Sequence, residues 1–341
     1  MKITNIKIEE YKKSFIAKTN LGQKKFETRK GWYIKVFSND LYGLGEAAPI
    51  PSISLESNED VGYALNGFKI ALDGIDYDVA LEELLLLAET HGFNVPSARF
   101  AIESAAYDLF SKAENKSIAQ YLNPNYLDMI NINSIYSKRS TIDINSSKVL
   151  KIKISERNIF TIREMIDDIL RLYPEGVKLR IDFNENLDLP RAVRACKELK
   201  QYNIDYIEQP LSREKFSDLY DLRMSTDLPI GVDESLTDSD SVNKIIDEGA
   251  ADVLVVKPST MGGFQDLKKI VNFSENEGLR LVVTSAFETS VAQFYILHVI
   301  AALNISEHCG IFNIKLFKDD YLPNINRDQC EIPNLGLGVL I

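Results

Sequence analysis

The chain is poor in the residues that build covalent cross-links and soft-metal sites. Its 341 residues include three cysteines, Cys196, Cys309 and Cys330, scattered and odd in number. None of them has the short paired spacing of a thiolate zinc site or of a disulfide framework, so a reducing compartment is expected. The three histidines, His91, His298 and His308, fall in no metal-binding motif; each reads as structural or surface. Positive charge is in the minority: 39 Lys and Arg against 50 Asp and Glu give a net charge of −11. No tract rich in Lys or Arg interrupts that balance, which argues against a nucleic-acid partner. Long apolar runs are also lacking. The most apolar stretch, 291–305, is shorter than a membrane span, and Gln293 and His298 interrupt it. It reads as a buried helix. The opening MKITNIKIEEYKK is charged within two residues and has no apolar core, so no signal peptide is read there. A cytoplasmic enzyme without a membrane partner is the expectation.

What the chain does have is a repeat of charges. Five strand-like segments each end on one: Lys153 in KVLKIKI, Asp182 in VKLRIDF, Glu208 in IDYIEQP, Asp233 in LPIGVDES and Lys257 in ADVLVVKP. The gaps between them are 29, 26, 25 and 24 residues, about the length of one strand, one helix and two short loops. That unit predicts an α/β fold, a (β/α) barrel whose chemistry sits at the C-terminal strand ends. Strands are expected near 129–135, 148–154, 177–183, 204–208, 229–233, 251–257 and 279–285, with a weak eighth near 307–312. The first 122 residues have another pattern. Residues 1–50 alternate like an antiparallel meander with a turn at Asn39-Asp40, and 57–71, 77–91 and 95–122 read as helices. The expected organisation is an α+β capping domain over 1–122 and a barrel over 123–314. The tail 315–341 is expected to fold back on the cap.

Side chains alternate across a strand. Leu150, Ile152 and Ile154 therefore share one face and Lys151 and Lys153 the other. Likewise Val177, Leu179, Ile181 and Phe183 oppose Lys178, Arg180 and Asp182, and Ile230 and Val232 oppose Asp233. The apolar faces belong against helices, so the charges point to the barrel axis. Buried there, they must satisfy one another or a metal. Arg180, one layer below Asp182, is a candidate partner for the acids. Asp182, Glu208 and Asp233 offer oxygen ligands only, which suits Mg²⁺, or Mn²⁺, better than Zn²⁺. Open positions would take a substrate carboxylate, and the cation would stabilise the enediolate formed when the neighbouring carbon loses a proton. The base would be a lysine held neutral by nearby positive charge. Lys151, two residues from Lys153 on the same face, supplies such a charge. Taken singly, Lys-x-Lys reads as a solvated strand edge and Asp-Glu-Ser as a turn; the order, spacing and shared face carry the reading.

These segments resemble the enolase superfamily, in its muconate-lactonizing-enzyme-like branch, with the o-succinylbenzoate synthases as the nearest family. LKIKIS, RIDFNEN, YIEQPL, VDESL and VVKPSTMGG are similar to its second to sixth barrel strands, and VVTSAFETSVAQ to the seventh. KFETRKGWYIKVF and LYGLGEAAPIPSIS are similar to the opening of its capping domain. The resemblance implies a modified TIM barrel in which Lys153 removes the α-proton and then protonates the departing hydroxide. Lys257 would stabilise the enediolate, Lys151 would tune Lys153, and Asp182, Glu208 and Asp233 would bind Mg²⁺. Asn184 and Ser285 would sit beside the substrate, and Gly262-Gly263 would let backbone approach it. Arg29 and the loop Pro49-Ile50-Pro51-Ser52 would touch its succinyl arm, although Arg29 also reads as a surface arginine. The implied reaction is dehydration of 2-succinyl-6-hydroxy-2,4-cyclohexadiene-1-carboxylate to o-succinylbenzoate, a menaquinone precursor. An N-succinylamino acid racemase or a dipeptide epimerase on the same scaffold stays open, as does a metal-binding homologue without catalysis. For a dipeptide epimerase, EHCGIFNIK lacks the usual Asp-x-Asp. Three positions depart from the pattern: Ser155 replaces a glycine, Phe183 a small residue and Leu187 an aromatic, which leaves the loop after the third strand open. Gly43 and Gly45 read as hairpin-turn residues. Glu288 reads equally as a helix start or a substrate contact, and Glu234 as a partner near Lys257 or a helix cap.

Overall fold

A computed structural model describes residues 1–21, 24–51, 53–155 and 160–338. The chain opens on a three-stranded antiparallel sheet of β1 (Asn5–Leu21), β2 (Lys24–Ser38) and β3 (Leu41–Ala47), in that order. Asn39, at φ 53°, makes the expected turn between β2 and β3. Three helices cover one face: α1 (Asn58–Ala71), α2 (Leu81–His91) and α3 (Pro96–Ala113). α1 starts at a capping box in which Ser57 and Asp60 satisfy each other's backbone N–H. The helix expected over 95–122 is two. Asn115 takes φ 55°, and Ser117 caps a separate α4 (Ile118–Leu122). Ile34, Val36, Leu65, Phe68 and Leu109 are fully buried in the core of this layer. Gly43 and Gly45 are not turn residues. They lie inside β3, where a Cβ would stand 1.8 Å from the Ala105 carbonyl oxygen and 1.9 Å from that of Ala101. Only glycine lets α3 pack this close to the strand.

From Met129 the chain alternates. After β4 (Met129–Asn131), a parallel sheet forms from β5 (Ser134–Ile135), β6 (Val149–Lys153), β7 (Lys178–Asp182), β8 (Ile204–Glu208), β9 (Ile230–Val232), β10 (Val253–Val256) and β11 (Arg280–Val283). Its seven strands follow chain order. Between them run α5 (Ile162–Leu170), α6 (Leu189–Leu199), α7 (Phe216–Ser225), α8 (Ser239–Asp247), α9 (Pro258–Met261) and α10 (Phe264–Asn276). α11 (Ser290–Ala302) is the apolar stretch, and it is buried along its whole length. Among the described residues no helix is long and apolar enough to cross a membrane. The expected eighth strand is reduced to isolated bridges: Cys309 pairs with Ile132 and Gly310 with Thr284. This segment joins the two edges of the sheet.

The alternation read from the sequence holds in space. Leu150, Ile152, Leu179, Ile181, Ile230, Val232, Leu254 and Val256 pack outward into the large core under the helices. Tyr206, Val253, Val255 and Val282 form a small separate core inside the sheet. In the tail, β12 (Ile325–Asn326) pairs with β13 (Gln329–Glu331), and β13 with β4. Farther on, Gly336 exchanges backbone hydrogen bonds with Lys116 and Ile118, and the Leu337 N–H is given to Asp108.

Candidate active site

The C-terminal ends of β6 to β10 bring Lys151, Lys153, Asp182, Glu208, Asp233 and Lys257 together. In-register pairing sets Lys153 beside Asp182 and Asp182 beside Glu208. Lys151 is the hub. Its Nζ lies 2.5 Å from Glu208 Oε1 and 3.1 Å from Asp182 Oδ2. Lys153 Nζ stands 3.4 Å from Asp182 Oδ2 and donates to Asn184 Oδ1 at 3.3 Å. Lys257 is ion-paired with Asp233 Oδ1. Lys153 and Lys257 line one cavity with Asn184, Asp233 and Glu234.

The charges shift one another. Burial alone would lower the Lys151 amine, but Asp182 and Glu208 outweigh it and hold the ammonium well above its usual range. Burial alone would raise the Asp182 carboxyl; Lys151 and Lys153 hold it low instead. Burial pushes the Lys257 amine down to about 7, against Glu208 and with the help of Lys151 and Lys153.

Among the described residues, Asp182 Oδ2 and Glu208 Oε2 are buried oxygens without a hydrogen bond, Asp182 Oδ2 having only the ion pairs with Lys151 and Lys153. With Asp233 they form the oxygen-only set a hard divalent cation takes, so the residues fit such an ion in chemistry. Among the described residues no three His, Cys, Asp or Glu side chains gather closely enough to hold an ion. Asp233 faces Lys257, and Lys151 contacts both other acids. Buried carboxylates need a neutralising partner, and here the lysines provide it.

The loop after β7 carries backbone strain. Asn184 and Glu185 have φ 43° and 64°. Arg213 grips both oxygens of Glu185 at 3.0 and 2.7 Å, and Phe183 and Leu187 sink into the core. The departures at Phe183 and Leu187 are absorbed this way. Gln209, at φ 34°, was not singled out from sequence. Its Oε1 accepts the N–H of Asp233 and of Ser235, and its Nε2 donates to Ser235 Oγ and the Leu211 carbonyl. It thereby fixes the end of β9 against the end of β8. Its place in Glu-Gln-Pro, next to an acid on a strand end, was the available signal.

The expected substrate contacts divide. Asn184 faces the cavity. Ser285 lies just past β11 with its N–H given to Gly310. Gly263 is turned elsewhere, since a Cβ there would meet Glu103 Oε2 of the cap at 2.5 Å. Arg29 is not a surface residue. It is buried, and its guanidinium donates to the carbonyls of Ala48, Pro49, Ala286 and Phe287. It ties the cap loop to the loop after β11. Pro51 is exposed and lines a separate cap pocket with Phe26 and Leu55; Ser52 lies outside the described residues. Glu288 accepts from Ala286 N–H and Ser259 Oγ beside the start of α11, which is a structural role. Arg180 joins Asp205 and Glu307 rather than the site acids. It lines a cavity of about 920 Å³ at the N-terminal strand ends, the face of such barrels that serves stability.

Chain comparison defines the class. Residues 140–339 match the model described as Enolase C-terminal domain-like, and residues 3–109 the model described as MenC, N-terminal domain. The chain belongs to the enolase superfamily, whose members are enzymes and typically use Mg²⁺. It is 25% identical to the N-succinyl-L-Arg/Lys racemase of Bacillus cereus over 88% of this chain and 85% of that one. It is 31% identical to the o-succinylbenzoate synthase of Thermobifida fusca over 56% and 57%, and 26% identical to muconate cycloisomerase 1 of Pseudomonas putida over 89% and 86%. The crystal structure of the Bacillus cereus N-succinyl Arg/Lys racemase superposes with a TM-score of 0.86 at 22% identity, covering 100% of this chain and 96% of that one.

Proposed function

We propose that the chain is an o-succinylbenzoate synthase, dehydrating 2-succinyl-6-hydroxy-2,4-cyclohexadiene-1-carboxylate. The observation that carries the reading is that two lysines from opposite strands, Lys153 and Lys257, line one cavity with Asp233, beside the buried acids Asp182 and Glu208. The MenC, N-terminal domain match over 3–109 favours the synthase among the superfamily's reactions.

The Lys153 amine takes the proton from the carbon beside the carboxylate, and the electron pair moves onto the carboxylate oxygens. Lys257 lies across the cavity and, in its protonated form, offsets that charge. The Lys153 ammonium then gives its proton to the departing hydroxyl, so water leaves and the ring becomes aromatic. Lys151 stays charged and holds Asp182 and Glu208 in place. Asp182, Glu208 and Asp233 would hold Mg²⁺, which when bound supplies Lewis-acid stabilisation of the carboxylate. The cavity is about 60 Å³, whereas ligand sites run to about 300 Å³ and more. Ile50, Ile53, Ser54 and Leu55 line it from the cap side.

Racemisation of N-succinylamino acids is the second reading, favoured by the near full-length match to the Bacillus cereus racemase. Ultraviolet detection of the aromatic product, run beside racemisation of N-succinyl amino acids, separates the two. Product formation much faster than racemisation supports the synthase. Racemisation alone overturns it.

A further inference from the structure

Glu234 follows Asp233 and neither pairs with Lys257 nor caps a helix. Its Oε1 accepts from Asn184 Nδ2 at 3.0 Å, and the other end of that amide, Oδ1, accepts from Lys153 Nζ at 3.3 Å. The chemistry fixes this order. An amine on a lysine presents hydrogens to its neighbour, and a carboxylate presents only lone pairs. Asn184 therefore turns its oxygen to Lys153 only while something on its far side claims its NH₂. Glu234 is that group. Its carboxyl comes from a different strand end, and among the described residues Glu234 Oε2 is buried without a hydrogen bond. Asn184 itself is held in a left-handed backbone conformation at φ 43°, and its N–H is given to Asp182 Oδ1 at 2.9 Å. An asparagine in that turn is cheap to place but free to rotate about its last bond.

We propose that Glu234 is a positioning residue: it orients the Asn184 amide so that Lys153 is aimed across the cavity. The proposal rests on the reading of Lys153 as the base. Without Glu234 the amide is free to flip and donate its NH₂ to the lone pair of the neutral Lys153 amine, the pair that has to take the proton. Lys153 then keeps only Asp182 Oδ2 at 3.4 Å and is drawn toward the acids and away from substrate. Glutamine in place of Glu234 still offers an acceptor oxygen to Asn184, so it should restore the arrangement; alanine should not.

The test compares Glu234→Ala, Glu234→Gln, Asn184→Ala and the Glu234→Ala/Asn184→Ala double variant. Turnover of the cyclohexadiene substrate is measured together with Mg²⁺ affinity by calorimetry and with acetic anhydride labelling of Lys153 read by peptide mass. The expected result for Glu234→Ala is kcat lower by about 10²-fold, the scale of a misplaced acid–base group, with KM and metal affinity changed less than threefold. Glu234→Gln should recover to within about tenfold of wild type. The double variant should be no slower than Asn184→Ala, because the two side chains act as one unit. Labelling of Lys153 should change in rate in Glu234→Ala and not in Glu234→Gln. Equal damage from alanine and glutamine overturns the proposal, because the carboxylate charge itself would then matter. Additive losses in the double variant overturn it too. Labelling needs no substrate. A wild type that turns over no substrate while labelling follows the expected pattern therefore sinks the functional reading and leaves the positioning intact.

Discussion

At the residue scale, position along a strand decides role. Asp233 is buried and faces Lys257, and its backbone N–H is pinned by Gln209. Asp233→Asn keeps the shape and removes the charge, so Mg²⁺ affinity by calorimetry should fall by at least tenfold with little change in melting temperature. Unchanged affinity removes Asp233 from the ligand set. His298 lies far from this chemistry. Its ring is buried between α4 and the tail, with Ala119 N–H on one nitrogen and the Leu337 carbonyl on the other. Burial pushes the imidazole down to about 4 despite the Leu337 carbonyl. The unfolded value is near 6.5, so the folded state resists protonation. Stability is therefore full above about pH 6.5 and declines as pH falls toward 4, by up to about 3 kcal/mol. Denaturant unfolding across that range should show this slope in wild type and a shallower one in His298→Gln. Equal slopes would assign the loss to other groups. The inward charges were legible because a strand's period of two is set by backbone geometry. The partner of Glu234 was not, because Asn184 reaches it through a left-handed turn that no periodicity encodes.

At the element scale, loops are held by groups distant in sequence. Arg29 and the Ala286 carbonyl are 257 residues apart, and no local pattern reveals such a pairing. Arg29→Met fills similar space but leaves four carbonyls without their donor. Stability should fall by about 2–4 kcal/mol, and KM should rise because Ile50 and Phe287, on the two loops it ties, both line the cavity. Thermal melting and steady-state kinetics check both; a variant normal in each would show that the clasp is idle. The glycines of β3 teach a related lesson. Gly43 and Gly45 look like turn residues in sequence, yet they mark the place where a helix lies directly on a strand. The weak eighth strand was weak in sequence because only Cys309 and Gly310 bridge there.

At the scale of the whole molecule, cap and barrel are latched through buried acids. Glu46, on β3, accepts from Tyr11 Oη at 2.5 Å, Thr289 N at 2.9 Å, Thr289 Oγ1 at 2.6 Å and Ala292 N at 3.0 Å. It thus caps the first turn of α11, where a negative charge also meets the helix dipole. Glu103 of α3 plays the same part for α10 by accepting the Phe264 N–H. Glu46→Ala strands three kinds of donor and should cost about 3–5 kcal/mol. Calorimetry should show a single transition at lower temperature. A cap that melts separately, with the barrel unmoved, would show that the two halves are not coupled through this contact. The division into a small meander-and-helix layer and an alternating β/α layer was readable from the change of pattern near residue 129. The latches were not, since they join acids to backbone 161 and 243 residues away.

The most direct measurement is turnover of the cyclohexadiene substrate by Lys153→Ala against wild type, with Mg²⁺ binding followed by calorimetry on the same samples. The expected result is an unchanged metal isotherm with turnover lower by roughly 10²–10⁴-fold, the usual worth of a general base. Near-normal turnover with intact metal binding would contradict the assignment of Lys153 as the group that takes the proton.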